Sequence, residues 1–269
     1  MDNSEHLPSG IDTTVPSPAR LYDYYLGGRH NFPVDRERGR EIVRLLPELP
    51  TIVRANRGFL VRAVQHLAHE GIDQFIDLGT GIPTSPNVHE VARNINPKVR
   101  VVYVDNDPAV QIYNRAILAA DGVASIVGDI RHPEEVLANP ELCELIDFNK
   151  PAAILVVAVF HFIADKYNPA SIVNRFAEHL APGSYVALSA AISDHNDPEV
   201  IRRVEEIYAD ATAPFVWRTR TQVSALLAGL ELVSPGVVSL ADWRPDSRSR
   251  AQKEQSGASW FCAAMARKD

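Results

Sequence analysis

Three aspartates stand where short apolar segments of the sequence end, and two glycines follow the first of them. Asp77 lies in FIDLGTG, Asp105 ends VVYVD, and Asp129 lies in IVGDI. Carboxylates accept hydrogen bonds from sugar hydroxyls and amino groups, and their charge strengthens these bonds. Gly79 and Gly81 can adopt tight turns and let a ligand approach the backbone. The pattern therefore predicts a binding site for a nucleoside.

Asp105, Asp129 and Ile130 are each expected to contact a particular part of the nucleoside. We expect Asp105 to accept hydrogen bonds from two vicinal ribose hydroxyls, because Asp107 is already placed to cap the helix that begins at Pro108. Asp129 is placed to accept from the exocyclic amine of adenine while Ile130 packs against the ring. A turn residue is the alternative for Asp129, and a simple tight turn is the alternative for the glycines.

The elements that would position these residues alternate between strand and helix. Five apolar segments rich in β-branched residues indicate buried strands, namely QFIDLG, VRVVYVD, ASIVGD, AAILVVAVF and SYVALSAA. Pro at positions 86, 108, 169 and 198, each preceded by Ser, Asp or Asn, indicates helix starts between them. This alternation predicts a doubly wound, mostly parallel α/β sheet. VVSLADW and ASWFCAAMA predict a closing antiparallel hairpin, which makes seven strands.

The composition excludes several classes of protein. A chain of 269 residues with 46 % hydrophobic residues supports one α/β domain. The net charge of -7 disfavours a broad surface for nucleic acid. No apolar segment reaches the roughly 20 residues that cross a membrane, and the first residues lack the features of a secretory signal, so we expect a cytoplasmic protein. The two cysteines lack a metal-ligand spacing, so we expect no metal site.

In this order, FIDLGTG, VVYVDND and IVGDI resemble the cofactor motifs of class I S-adenosylmethionine-dependent methyltransferases. SPARLYDYYLGGRHNFPVDRERG, RANRGFLVRAV and DLGTGIPTSPNVHEVA resemble more closely a bacterial S-adenosyl methyltransferase family that carries an N-terminal ARxYDYxLGG segment. The resemblance covers nearly the whole chain beyond about residue 17. Pro83 departs from the commoner GxGxG loop, although GTGIPT is similar to the form of the narrower family.

The resemblance implies a Rossmann-like fold and S-adenosylmethionine as cofactor. We expect a disordered tail over residues 1–17 and a single methyltransferase domain over 18–269. Within this domain, residues 18–70 are expected to form a helical lid on the substrate side, and 71–269 the cofactor-binding core. The helix with Tyr22 and Tyr25 would lie over the cofactor, and Gly27 and Gly28 would turn the backbone beside its methionine part.

The resemblance also implies where the reaction takes place. The end of the fourth strand would face the transferred methyl group, so Val159, Phe160 and His161 are expected there. His161 could remove a proton from a hydroxyl or amine, and a hydrogen bond to a loop is the alternative. Arg20, Arg29, Arg54 and Arg57 are alternatives for binding the cofactor carboxylate. The expected cofactor-binding residues are Asp77, Gly79, Thr80, Gly81, Asp105, Asn106, Asp129, Ile130, Ala158, Val159, Phe160, Tyr22, Tyr25, Gly27, Gly28 and Arg57.

The expected reaction is methyl transfer to an oxygen or nitrogen nucleophile of a small molecule, with no nucleic-acid or membrane partner. A nicotinamide-dependent oxidoreductase is one alternative, against which the absence of GxGxxG weighs. A protein that binds S-adenosylmethionine for regulation, without turnover, is the other.

Overall fold

The computed structural model describes residues 11–246 and 260–269. The expected disordered tail lies outside the described residues over positions 1–10, as do the first two residues of ASWFCAAMA. None of the helices in the described ranges is both long and apolar enough to cross a membrane.

Eight strands form one mixed sheet in the described part of the chain, and five of them are parallel in the order β3-β2-β1-β4-β5. β8 is antiparallel to β5, and both β6 and β7 are antiparallel to β8. The strands are β1 Gln74–Leu78, β2 Arg100–Asp105, β3 Val123–Val127, β4 Ala153–Val157, β5 Tyr185–Ala191, β6 Glu231–Leu232, β7 Val238–Ser239 and β8 Phe261–Arg267. The mostly parallel sheet is confirmed. The expected number of seven strands is wrong, because the short strand β6 also pairs with β8.

Ten α-helices occur in the described ranges: α1 Pro18–Tyr25, α2 Pro33–Leu45, α3 Leu49–His69, α4 Val88–Arg93, α5 Pro108–Ile117, α6 Pro133–Leu137, α7 Pro140–Leu145, α8 Pro169–His179, α9 Pro198–Tyr208 and α10 Arg220–Ala225. Three of the predicted helix starts are confirmed, and Asp107, Asn168 and Asp197 each accept a hydrogen bond from a backbone amide of the helix that follows. The predicted start at Ser85 is wrong. α4 begins after Asn87, whose amide donates to the Glu90 carboxylate.

Both faces of the sheet are covered, as a doubly wound sheet requires. Alternate residues of β1 belong to different layers of the core: Phe75 packs in the layer that includes Phe59 of α3, and Ile76 in the layer that includes Phe176 of α8. The strands are therefore buried on both sides, and their carboxyl ends open at one edge of the sheet.

Three hydrogen bonds attach the end of the segment before α1, at Pro16 and Ser17, to elements that follow α1 in the chain. The Ser17 amide donates to Asp35 Oδ1 at 3.1 Å, and Ser17 Oγ donates to Asp107 Oδ2 at 2.8 Å. The Thr212 amide donates to the carbonyl of Pro16 at 3.0 Å. Ser17 is buried, so the last residues of the segment that we expected to be a disordered tail contact the rest of the fold.

Candidate active site

A cleft of about 420 Å³ opens where the parallel strands end. Its volume falls in the range of roughly 300–1,000 Å³ that is usual for small-molecule sites. The turns after β1, β2, β3 and β4 form one side, and residues of the N-terminal segment, α1, α3 and the loop at 212–214 form the other. Twelve expected residues line it together, namely Asp77, Gly79, Thr80, Gly81, Asp105, Asn106, Asp129, Ile130, Ala158, Val159, Tyr22 and Arg57.

The loop after β1 is folded tightly against β2. The amides of Gly79 and Thr80 both donate to the Val104 carbonyl, at 2.8 and 3.1 Å. Gly79 and Gly81 have φ values of +71° and +64°, which favour glycine. A Cβ on Gly79 would also lie 2.5 Å from Cγ2 of Val159. Glycine at position 79 therefore brings the turn after β4 close to the loop after β1.

Asp105 supports this loop from the end of β2. Its Oδ2 accepts from the Gly81 amide at 2.8 Å, and its Oδ1 accepts from the Asp107 amide at 2.9 Å. Burial nevertheless raises the pKa of Asp105 to about 6, against the lowering effect of these amides. Each carboxylate oxygen has a further lone pair for a ligand hydroxyl.

Asp77 has fewer partners in the protein. It is only 7 % exposed, and its carboxylate accepts no hydrogen bond from the described residues although it lines the cleft. Burial raises the pKa of Asp77 to about 7, with Arg57 opposing the rise and Asp105 adding to it. A buried carboxylate without donors is costly, so a ligand that brings hydroxyl or ammonium donors would satisfy it.

Asp129 lines the cleft with Ile130, but it already has a cationic partner. The guanidinium of Arg131 binds its carboxylate, with Nε 2.8 Å from Oδ2, and lies over the ring of Tyr167. Burial would raise the pKa of Asp129, yet the bonds from Arg131 lower it overall. Asp129 is therefore ionised and held in one orientation at the cleft.

Two of the four arginine alternatives line the cleft, Arg20 and Arg57, whereas Arg29 and Arg54 do not. Arg20 is already used, because its Nε donates to Asp35 at 2.9 Å and its other nitrogens donate to backbone carbonyls. Arg57 Nη2 donates to the carbonyls of Thr84 and Pro86, at 2.6 and 2.7 Å. Arg57 thereby ties α3 to the loop after β1.

The turn after β4 contributes different side chains from those expected. Val159 lines the cleft, but Phe160 is buried in the opposite layer of the core among residues of α8 and is not part of the lining. Phe162 and Ile163, which sequence reasoning missed, line the cleft instead. The change of direction follows from a short 3₁₀ turn over Phe160–Phe162.

His161 does not reach the cleft, so its expected place beside the methyl group is wrong. The ring is 3 % exposed and lies against Phe162, Phe215 and Phe261, with centroid distances of 4.4, 4.8 and 5.3 Å. Its Nδ1 accepts from the Ala191 amide at 3.3 Å. Burial, with a contribution from Arg218, lowers the pKa of His161 to about 3. The ring is a neutral acceptor inside the core.

Three expected residues at the end of α1 also lie outside the lining. The Tyr25 hydroxyl is 3.5 Å from that of Tyr208. Gly27, with φ of +80°, and Gly28 form the turn that ends the helix, and a Cβ on Gly28 would lie 1.9 Å from Oδ1 of Asp23. Asp23, which was not predicted, lines the cleft.

Asn56 is a further lining residue that the sequence reasoning missed. It is 1 % exposed and lies in the middle of α3. The sequence did hold an indication of it, because Val53 and Leu60 place Asn56 within an apolar helix face. No comparable pattern marks Thr212 and Pro214, which reach the cleft from a loop.

A family model described as S-adenosyl methyltransferase matches residues 4–269. The chain belongs to this S-adenosyl methyltransferase family. The methyltransferase is 40 % identical to a DUF574 family protein from Streptomyces avermitilis MA-4680, with a TM-score of 0.90 over 96 % of this chain and 99 % of that one. It is 37 % identical to a proposed methyltransferase from Thermobifida fusca YX, with a TM-score of 0.90 over 99 % and 100 % of the two chains.

Human N-acetylserotonin methyltransferase, in a complex with S-adenosylmethionine, shares the fold of this methyltransferase. It is 15 % identical, with a TM-score of 0.51, and the match covers 92 % of this chain and 62 % of that one. No curated protein gives a significant match.

S-adenosylmethionine is therefore the cofactor of this methyltransferase. The side chains at the cleft fit this cofactor. Asp105 and Asp77 can still accept hydrogen bonds, and the ribose hydroxyls and the ammonium group of the cofactor are donors. The apolar side chains of Val159 and Ile130 suit its adenosine and sulfonium parts, which carry no phosphate.

Proposed function

We propose that this methyltransferase transfers the methyl group of S-adenosylmethionine to an oxygen or nitrogen atom of a small molecule. The observation that carries the proposal is the cleft of about 420 Å³, in which the expected cofactor residues face side chains of α1 and α3. When bound, the cofactor supplies a methyl group activated by a positively charged sulfur. A small acceptor would approach from the side of the N-terminal helices, which we propose to act as a lid.

The proposed contacts with the cofactor follow the positions of the side chains. Asp105 accepts from the ribose hydroxyls, and Asp129 accepts from the adenine amine beside Ile130. Arg57 binds the carboxylate with the part of its guanidinium that does not hold the loop after β1. Tyr22 closes the cleft from α1. All five residues line the same cleft, which supports these assignments.

The charges at the cleft favour a neutral or cationic acceptor. Among the described residues that line it are six aspartates and three arginines. Arg20 is paired with Asp35 and Arg131 with Asp129, so neither offers a free charge to an anion. An acceptor with a phosphate or carboxylate would meet net negative charge. The same balance argues against a nucleic-acid substrate.

The protein would promote the reaction mainly by alignment and by exclusion of water. Leu60, Val159, Phe162, Ile163 and Pro214 give the cleft an apolar wall. Holding the nucleophile in line with the methyl group removes much of the entropic barrier of a two-molecule reaction. A protein-bound proton acceptor is not required for a nucleophile that is already deprotonated.

Two measurements test the proposal in sequence. Calorimetric titration of S-adenosylmethionine, its demethylated product and NAD into the purified protein tests the cofactor, and preferential binding of NAD would reject it. Mass spectrometry then follows methylation of a panel in which each scaffold is present as a neutral, a cationic and an anionic nucleophile. We expect turnover of neutral or cationic members. Methylation of RNA or DNA with no turnover of small molecules would contradict the proposed acceptor class, and binding without any turnover would favour a regulatory role.

A further inference from the structure

A chain of buried polar groups connects α1 with the turn after β4. The Tyr22 hydroxyl lies 3.2 Å from the Val53 carbonyl and 2.9 Å from Asn56 Nδ2. Asn56 Oδ1 lies 2.6 Å from Ser189 Oγ. Ser189 Oγ in turn lies 3.0 Å from the Ala158 amide. The chain joins three parts of the fold that are distant in sequence.

Only one direction of donation satisfies every member of this chain. The Val53 carbonyl can only accept, so the Tyr22 hydroxyl donates to it and accepts from the Asn56 amide group. The oxygen of that amide then faces Ser189, whose hydroxyl proton is used in donating to it. Ser189 Oγ is left as an acceptor, and the Ala158 amide is a donor. Tyr22 and Asn56 thus fix the direction of the Ser189 O–H bond and leave a lone pair of Ser189 Oγ to accept from the Ala158 amide.

Ala158 needs such support because its backbone is strained. Its φ is +61°, in the left-handed region, where a residue with a Cβ is disfavoured. Residues of this kind persist when neighbouring bonds hold them, and they concentrate at functional sites. The Ala158 amide donates both to the Ser189 carbonyl, at 3.1 Å, and to Ser189 Oγ. Ser189 is fully buried and does not line the cleft.

We propose that Ser189 is a positioning residue for cofactor binding. By holding Ala158 in the left-handed conformation, it directs the chain so that Val159 packs against Gly79 and both residues form one side of the cleft. Loss of the hydroxyl lets the turn after β4 relax and weakens binding of S-adenosylmethionine. The inference rests on the proposed function and on the expected place of Ala158 and Val159 at the cofactor.

The test compares two buried serines of the same strand region. Ser184 Oγ accepts from the Ala152 amide at 3.0 Å, the same type of bond at the far end of β4 and β5, and it does not line the cleft. We expect Ser189→Ala to raise the dissociation constant of S-adenosylmethionine, measured by calorimetry, by about five- to thirty-fold. This ratio corresponds to the cost of keeping a residue with a Cβ, here Ala158, in the left-handed conformation. Ser184→Ala removes an equivalent bond and should leave the constant unchanged.

The Ala158→Gly background separates positioning from a loss of stability. Glycine adopts the left-handed conformation without strain, so Ser189→Ala should have little further effect on the dissociation constant when Ala158 is already glycine. Unfolding curves of the same variants report stability independently. If Ser189→Ala does not fold, Ser189→Cys, which is close in size and a weaker acceptor, carries the same comparison.

Two results would overturn the inference. One is an unchanged dissociation constant in folded Ser189→Ala. The other is an equal loss of affinity in the Ala158→Gly and wild-type backgrounds. Wild-type protein that fails to bind S-adenosylmethionine would instead reject the cofactor, so the failure of one idea is distinguishable from the failure of the other.

Discussion

Replacing Asp77 by Asn should stabilise the ligand-free protein and weaken its binding of S-adenosylmethionine. The carboxylate is buried at the cleft and accepts no hydrogen bond from the described residues. Asn at position 77 would therefore remove no hydrogen bond between this side chain and those residues. Asn has nearly the same shape and no charge. The substitution therefore removes the cost of a buried charge and little else.

The magnitude follows from the pKa. Burial, opposed by Arg57 and increased by Asp105, raises the pKa of Asp77 from 3.8 to about 7. For a group whose pKa is higher in the folded than in the unfolded chain, the cost of ionisation is absent below about pH 4 and grows until about pH 7. At about 1.4 kcal/mol per pH unit, this difference sets an upper limit of about 4 kcal/mol. Because water enters the cleft and offsets part of the desolvation, we expect a gain of about 1–3 kcal/mol at about pH 8.

The assay is urea unfolding of both proteins without ligand, at about pH 5 and about pH 8, with calorimetric titration of the cofactor. The stability gain should be clearly smaller at the lower pH than at the higher one, because the cost of ionising Asp77 grows between about pH 4 and about pH 7. Loss of a charged hydrogen bond worth about 1.5–3 kcal/mol should weaken binding by about 10- to 100-fold. An Asp77→Asn protein less stable than the wild type at about pH 8, or equally stabilised at both pH values, would refute the reasoning.

The same pKa values predict how cofactor binding by the wild type depends on pH. Asp77 and Asp105 have pKa values of about 7 and about 6 in the free protein. Their ionised forms are the better acceptors for a ligand that brings hydroxyl and ammonium donors. Affinity should therefore fall as the pH is lowered through this window, with proton release on binding. Calorimetry in buffers of different ionisation enthalpy measures that release, and affinity that rises with acidity would contradict the assignment.

Gly79→Ala should destabilise the protein by about 1–3 kcal/mol in urea unfolding, because Gly79 has a positive φ and a Cβ there would lie 2.5 Å from Cγ2 of Val159. A variant as stable as the wild type would show that the turn after β4 can move away from the added Cβ. Asp35→Asn should act in the opposite sense to the substitution at position 77, costing about 3–5 kcal/mol in thermal unfolding, because it leaves the buried Arg20 without its charge partner. A stabilised protein would contradict that reading of the ion pair. His161→Asn should leave the affinity for S-adenosylmethionine unchanged in calorimetry, and a large loss would return His161 to the site.

The parallel sheet and its acidic edge were predictable because they depend on short segments of chain. In VVYVDNDP, one aspartate ends the strand and another precedes Pro, and the structure uses Asp105 in the loop contacts and Asp107 as the cap. Such assignments need only the alternation of strand and helix and the chemistry of a helix start. The strand β6 gave no such pattern, since it has two residues and both are exposed.

The environments of single side chains were less predictable. His161 and Phe160 follow Val159 directly, yet Phe215 and Phe261 enclose the histidine from segments more than 50 positions later. At the end of a strand, the direction of the backbone at a single residue decides whether a side chain lies in the cleft or in the core. Pairings such as that of Asn56 with Ser189 likewise depend on tertiary packing, which spacing along the chain does not reveal.

The contact between Ser17 and Asp107 determines where the chain can be shortened. The change in composition near residue 17 invites truncation there, but Ile11, Asp12 and Ser17 all line the cleft. Arg20 also donates to the carbonyls of Asp12 and Val15. A recombinant protein that begins at residue 18 would keep every described strand of the sheet and lose the part of the cleft lining that Ile11, Asp12 and Ser17 form. If the shortened protein failed to bind a ligand, the deletion would be the cause, and the result would not apply to the chain that keeps these residues.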